Sequence, residues 1–286
     1  MREDADLTNV RFRQLVFSGG GTRCFWQGGF LEVCAEPLEL APERIAAVSG
    51  GALSACCHVG GRGRALLDIM GSAFADQDHN VEREGSNATP HQELYRRVVE
   101  EALTDEAVAA VADGPALTIT LAAPPKRLPL KLGAFLALAL YEIDQHTRSS
   151  PHMALPVSAG TKMLRIDARQ AARDGKLRDL VCAAAVIPPV FDLPEWEGTR
   201  VMDAGTTDNA PIPEAEDGDE GGEGPTLILL TRRYRNTPDR EDRLYVPPSD
   251  ATPADKIDFT DREKIEETWR LGREDGEAFL SRHGLA

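Results

Sequence analysis

Positive charge is what this sequence is short of. Its 32 Lys and Arg stand against 47 Asp and Glu, for a formal net charge of −15. Nucleic-acid binding rewards clustered cations along a phosphate backbone, so this balance argues against nucleic acid as a partner. It argues equally against adsorption to an anionic bilayer by charge alone, and any lipid contact must be local and mostly apolar. Long hydrophobic runs are missing too. No stretch reaches the roughly 20 apolar residues that cross a bilayer, and the opening MREDADLTNVRFRQ has no apolar core of a secretion signal. The chain therefore reads as cytoplasmic, at most peripheral at a membrane surface. The five cysteines, Cys24, Cys34, Cys56, Cys57 and Cys182, form no CxxC pair and no zinc-ligand spacing with histidine. Reduced, mostly buried thiols are the expectation, with no metal and no cofactor.

What is present is the composition of a folded chain, 42% hydrophobic and 28% charged. With no internal repeat and no clean linker, residues 1–286 read as a single domain. Arg13–Phe17 (RQLVF) is β-like, stops at Gly19-Gly20-Gly21, and gives way to a helical pattern through Phe25, Phe30 and Val33. After a helix ending near Pro42, the logic repeats. Ile45–Val48 is a strand, Ser49-Gly50-Gly51 a turn, and Ala52–Val59 a helix. Strand, tight turn, helix, twice over, predicts a parallel sheet with helical crossovers. Further on, Ala116–Ala122, Met163–Ala168 and Thr226–Leu230 read as strands, while His91–Leu103, Lys176–Ala185 and Asp261–Leu280 read as helices. Glu214–Glu223 reads as an acidic, mobile loop and Thr237–Asp255 as a surface excursion.

Three short motifs carry chemistry. Ser49 stands between Ala47 and Gly51 on a strand-to-helix turn, the shape of a nucleophile elbow, where small neighbours are a steric requirement. The competing reading is a helix start in which Ser49 merely caps the backbone. Gly19-Gly20-Gly21-Thr22-Arg23 leaves backbone N–H groups unshielded for a developing oxyanion. It lacks the Lys-Ser/Thr of a nucleotide loop, and Cys24 replaces the third glycine of a dinucleotide fingerprint. Asp203-Ala204-Gly205, with Asn209-Ala210-Pro211 behind it, is either a reactive carboxylate or an Asx turn closed on its own backbone.

Taken in order, GGGTR, the small-x-Ser-x-Gly elbow, AAAVIPPVF, and DAG followed by NAP resemble the patatin-like phospholipase family over about Phe12–Pro213. The closing TWRLGREDGEAFL is similar to the family's ending. The resemblance implies a three-layer α/β/α fold with a mostly parallel central sheet, and a serine-dependent lipid acyl hydrolase working through a Ser–Asp dyad. Carried onto this sequence, Ser49 is the nucleophile and Asp203 the base. Gly19, Gly20, Gly21 and Thr22 form the oxyanion hole, with Arg23, Gly50, Gly51 and Gly205 in support. Arg23 is assigned to loop architecture. The implied partner is a lipid at a membrane surface. A non-lipid serine esterase or thioesterase, and a lipid-binding regulator with weakened catalysis, remain as alternatives. Three positions depart from the pattern: Cys24, Ala47 and Ala204, each small.

A dyad leaves histidine without a role. His283 follows Ser49 and Asp203 in the order of a hydrolase triad, but so close to the end it reads as a disordered tail. Leu128–Tyr141, the most apolar stretch, is either buried core or a lipid-facing flap within about 124–160, with Lys126 and Arg127 before it and Lys131 within it.

Overall fold

The computed structural model describes residues 6–75, 90–125, 130–186, 193–213, 224–256 and 258–285, with side chains for all of these but 90, 91, 130 and 131. The acidic run Glu214–Glu223 and the cations Lys126 and Arg127 lie outside the described residues, as does the Lys131 side chain.

Two strands buried end to end begin the chain, β1 (Gln14–Phe17) and β2 (Arg44–Val48). A 3-10 turn at Gly21–Cys24 and α1 (Phe25–Cys34) connect them, and α2 (Gly50–Val59) leaves β2 after one residue. Then come α3 (Gly63–Ala75), α4 (Pro90–Ala102) and α5 (Asp105–Asp113), which starts on a Thr104 hydroxyl accepting from the Ala107 amide. After β3 (Ala116–Ala123) follow α6 (Leu130–Thr147), α7 (Leu155–Ser158) and β4 (Lys162–Asp167). Helices α8 (Ala168–Arg173) and α9 (Leu177–Ala184) lead to a small hairpin of β5 (Glu195–Trp196) and β6 (Thr199–Arg200). The chain ends with β7 (Met202–Asp203), β8 (Thr226–Leu229), β9 (Arg243–Val246) and α10 (Arg262–Arg282).

The sheet runs β4-β3-β2-β1-β8-β9, with β7 also paired to β3. Strands β3, β2, β1, β8 and β9 are parallel, while β4 and β7 lie antiparallel to β3. Strands β1, β2 and β8 are buried throughout because both faces of the sheet are covered there, whereas the edge strand β4 is half-buried or exposed along its length. Alternate residues divide between two cores. Leu15, Phe17, Ile45, Ala47, Ile119 and Leu229 join the larger one, built with most of the helices. Val16, Ala46, Val48, Ala122 and Ile228 face the other side, where Ala134 and Ala137 of α6 pack near the strand ends. The result is three layers, as the sequence predicts.

Four expectations need correction. The helix expected to reach Pro42 ends at Cys34, and the chain continues through turns in which Leu38 and Leu40 donate to Cys34 and Ala35. The surface excursion at Thr237–Asp255 contains β9, whose RLYV is too short, between charged and proline-rich flanks, to outweigh its surroundings. Of the apolar stretch Leu128–Tyr141, Leu128 and Pro129 lie outside the described residues; the rest belongs to a helix running on to Thr147 and is neither all core nor all surface: Ala134, Ala137 and Tyr141 are buried while Phe135 is 60% exposed. His283 is no loose tail, since it is 2% exposed with its ring 4.3 Å from that of Phe279.

Candidate active site

Parallel neighbours β2, β1 and β8 release their loops at one edge of the sheet, so Ser49, the glycine loop and Thr231 emerge side by side. Ligands of open α/β sheets bind at such an edge. Asp203 arrives from the opposite direction on β7, in register with Leu121 of β3, next to β2.

Ser49 has φ 55° and ψ −137°, a left-handed conformation that costs a non-glycine residue roughly 1–3 kcal/mol. Packing imposes it. A Cβ on Gly51 would lie 2.6 Å from the carbonyl oxygens of both Phe17 and Ser18, so α2 starts pressed against the end of β1 and only glycine fits there. The strain turns the hydroxyl away from the helix: Ser49 makes no capping bond, and its Oγ donates to Asp203 Oδ2 at 2.6 Å. Asp203 divides its two carboxylate oxygens between two partners. Oδ1 closes the Asx turn by accepting from the Gly205 amide at 2.7 Å, and Oδ2 is left for Ser49. Ser49 and Asp203 are 3% and 1% exposed, which places the pair out of bulk water. Burial pushes the Asp203 carboxyl above the usual carboxylate range, against the pull of Lys256, the Ser49 hydroxyl and the Gly205 amide.

Among the described residues no histidine bonds to either group. His58 packs its ring against Phe17, with centroids 5.7 Å apart, and burial pulls its pKa down. His152 lies between Asp208 Oδ1 and the Tyr245 hydroxyl.

The glycine loop is held by its first carbonyl. Gly19 O accepts from Asn209 Nδ2 at 3.0 Å and Thr231 Oγ1 at 2.6 Å, while the Gly19 amide donates to the Asn209 carbonyl at 3.0 Å. That last bond corrects the expected role of Gly19, because its N–H is already used. The Gly20 and Gly21 amides have no acceptor among the described residues. Gly21 has φ 59°, and a Cβ there would sit 1.8 Å from the Lys256 carbonyl oxygen, so glycine is obligatory. Thr22 donates its hydroxyl to the Asp255 carbonyl, and Arg23 reaches the Asp255 carboxylate at 3.6 Å. Both side chains tie the loop to the segment before α10. Gly50 faces the Gly21 carbonyl across a gap that a Cβ would narrow to 2.7 Å.

From Ser49 and Gly50 a cavity of about 700 Å³ runs past Leu53, Leu66, Met70, Tyr95, Val186 and Phe259. Its walls are mainly apolar, and its volume suits a drug-sized ligand. Sequence reasoning singled out Asn209 without a role and missed Thr231, Asp255 and Lys256. Asn209 had a signal in NAP; Lys256 had none, since it follows a stretch of proline and charge that resembles ordinary surface.

A family model described as Patatin-like phospholipase matches residues 15–216, more than half of the chain. A solved structure, VipD from Legionella pneumophila, matches with a TM-score of 0.50 and 10% sequence identity, covering 96% of this chain and 67% of that one. At that identity the likeness is one of fold. A search of curated proteins gives no sequence match.

Proposed function

Because the chain belongs to the patatin-like phospholipase family, a family of lipid acyl hydrolases, we propose that it cleaves ester bonds of membrane lipids through a Ser49–Asp203 dyad and an acyl-enzyme. The observation that carries this reading is the 2.6 Å bond from Ser49 Oγ to Asp203 Oδ2, with Ser49 lining a mainly apolar cavity. Ser49 Oγ attacks the ester carbonyl as its proton passes to Asp203 Oδ2. Burial raises the basicity of that carboxylate and makes it a better acceptor than a solvated aspartate. The Gly20 and Gly21 amides face the oxygen that becomes negative. When the tetrahedral intermediate collapses, the C–O bond to the alcohol breaks and Asp203 returns the proton to the leaving oxygen. Water then attacks the acyl-Ser49 ester, again giving its proton to Asp203, and releases the fatty acid with Ser49 restored. Gly19, Thr22 and Arg23 hold the loop in place rather than touching substrate.

A route to aggregated lipid is offered by α6. Among the described residues, the exposed large hydrophobics are Leu132 (52%), Phe135 (60%), Ile143 (52%) and Val157 (40%), all on α6 or α7. The first three form one stripe of α6, opposite Ala134, Ala137 and Tyr141, which are buried. An apolar stripe is what a chain of net charge −15 needs to meet lipid without Coulombic help. Among the described residues no helix is long and apolar enough to cross a membrane.

The test is Ser49→Ala together with labelling by a serine-directed fluorophosphonate. The variant is expected to lose turnover by several orders of magnitude and to lose the label, with its melting curve intact. Turnover within about tenfold of the parent would overturn the assignment.

A further inference from the structure

The loop before α10 brings a lysine to the wall of the cavity that Ser49 also lines. The Lys256 carbonyl abuts Gly21, and the preceding Asp255 is bound by Thr22 and Arg23, so the backbone of Lys256 is fixed to the glycine loop itself. Its side chain lines the same cavity as Ser49. The ammonium lies 5.5 Å from the Tyr141 ring centroid. Among the described residues it makes no hydrogen bond and no ion pair, so the ring contact leaves its three donors unspent. Arg96, another cation of the cavity wall, is by contrast paired with Asp179 at 2.8 Å. Lys256 is also the cation whose field reaches Asp203 and, with Arg23, Cys24. An unspent ammonium anchored to the glycine loop, in a chain otherwise dominated by negative charge, is a specific arrangement.

We propose that Lys256 receives the phosphate of a phosphate-bearing ester while Ser49 attacks its acyl carbonyl, and so sets preference for phospholipid over neutral acylglycerol. The proposal rests on the dyad reading, and deepens it by naming the substrate group recognised beside the nucleophile. In a glycerophospholipid the phosphate and the acyl esters share one glycerol unit, so a cation tied to the glycine loop is placed to read one while the serine reads the other.

The experiment compares kcat/KM for a monoacyl glycerophosphocholine and a monoacylglycerol of the same chain, both below their aggregation concentrations, in the parent, Lys256→Met and Lys256→Arg. The phosphate-bearing ester should lose preference by about tenfold or more in Lys256→Met, chiefly through KM, the scale of one charge-assisted hydrogen bond. Lys256→Arg should restore most of it. Removing the cation also lets the Asp203 carboxyl rise further, so the acid limb of the pH profile should move to higher pH for both esters alike. Inorganic phosphate should inhibit monoacylglycerol hydrolysis by the parent and lose that hold in Lys256→Met. Equal losses on the two esters would overturn the proposal, reducing Lys256 to an influence on Asp203. Inhibition by phosphate with an unchanged ester preference would overturn it as well, as a free-anion site. If Ser49→Ala hydrolysed both esters as the parent does, the dyad would fail instead, and the ester preference would still report on Lys256.

Discussion

Asp203→Asn separates chemistry from stability. The replacement is isosteric, and the Asx turn dictates its orientation. The Gly205 amide donates to Oδ1 at 2.7 Å, so the carboxamide oxygen must take that position and the NH2 must face Ser49 Oγ, where Oδ2 accepts at 2.6 Å today. The serine would then accept a hydrogen bond instead of donating one, and nothing beside it could take its proton. Removing a general base costs about 10²–10⁴ in rate, roughly 3–5.5 kcal/mol of barrier. Stability should move the other way. Burial raises the folded-state pKa of Asp203, so this carboxyl contributes stability when protonated, below its unfolded pKa, and loses it as pH rises through the folded value. Above its folded-state value the ionised group is a net cost that Asp203→Asn removes. The expected result is a kcat lowered by at least 10² with a melting temperature at pH 7 equal to or above the parent's, and a stability gain that shrinks as pH is lowered. Steady-state kinetics and thermal unfolding at several pH values decide it. A variant with half the parent's activity, or one melting well below the parent at pH 7, would refute the assignment of Asp203 as a buried, ionised base.

Two further perturbations probe the rest of the molecule. His283→Ala should lower stability by about 1–3 kcal/mol, because the ring is buried against Phe279, and should leave kcat unchanged; a collapse of kcat in a folded variant would replace the dyad with a triad. Leu132→Asp combined with Phe135→Asp should cut hydrolysis of phospholipid vesicles at least tenfold, since each side chain buried in lipid contributes about 1.5–3 kcal/mol. The same pair should spare a monomeric ester and the melting curve, being 52% and 60% exposed; equal loss on both substrates would retire the lipid-facing role of α6.

The sheet was legible because its strands carry their own punctuation. RQLVF ends in three glycines and IAAV in Ser-Gly-Gly, and both strands are buried on two faces, which writes them as plain apolar runs. β9 was not legible, since an edge strand of four residues shares its window with proline and charge. α6 misled for a related reason. Its largely apolar stretch suggests a single environment, whereas the helix puts alanines on the sheet and Leu132 and Phe135 into solvent. At the site, residues joined by local motif were readable, and residues joined only by tertiary approach were not. Nothing near Lys256 in sequence hints that its carbonyl closes on Gly21, and nothing in GGG reveals that the Gly19 amide is taken by Asn209.

The three departures from the family pattern follow from the same geometry. Cys24, Ala47 and Ala204 are 4%, 0% and 0% exposed, so each position is limited by volume. Ala47 sits within β2 and hands its methyl to the larger core, and Ala204 packs with Val48, Ala122 and Ala134 on the other face. Cys24 turns its thiol toward the Ser18 carbonyl at 3.6 Å, and burial holds that thiol protonated, so it brings no competing nucleophile beside Ser49. At Gly21 and Gly51 the constraint differs in kind. There the obstacle is backbone, 1.8 Å and 2.6 Å from where a Cβ would be, and backbone cannot step aside as a side chain can. Glycine is therefore kept where two main chains touch and yields to alanine or cysteine where a side chain has only to be small. The residues that replace glycine here leave the Ser49–Asp203 bond and the Gly20 and Gly21 amides in place, which is why the altered motifs do not by themselves imply a chain that has lost its chemistry.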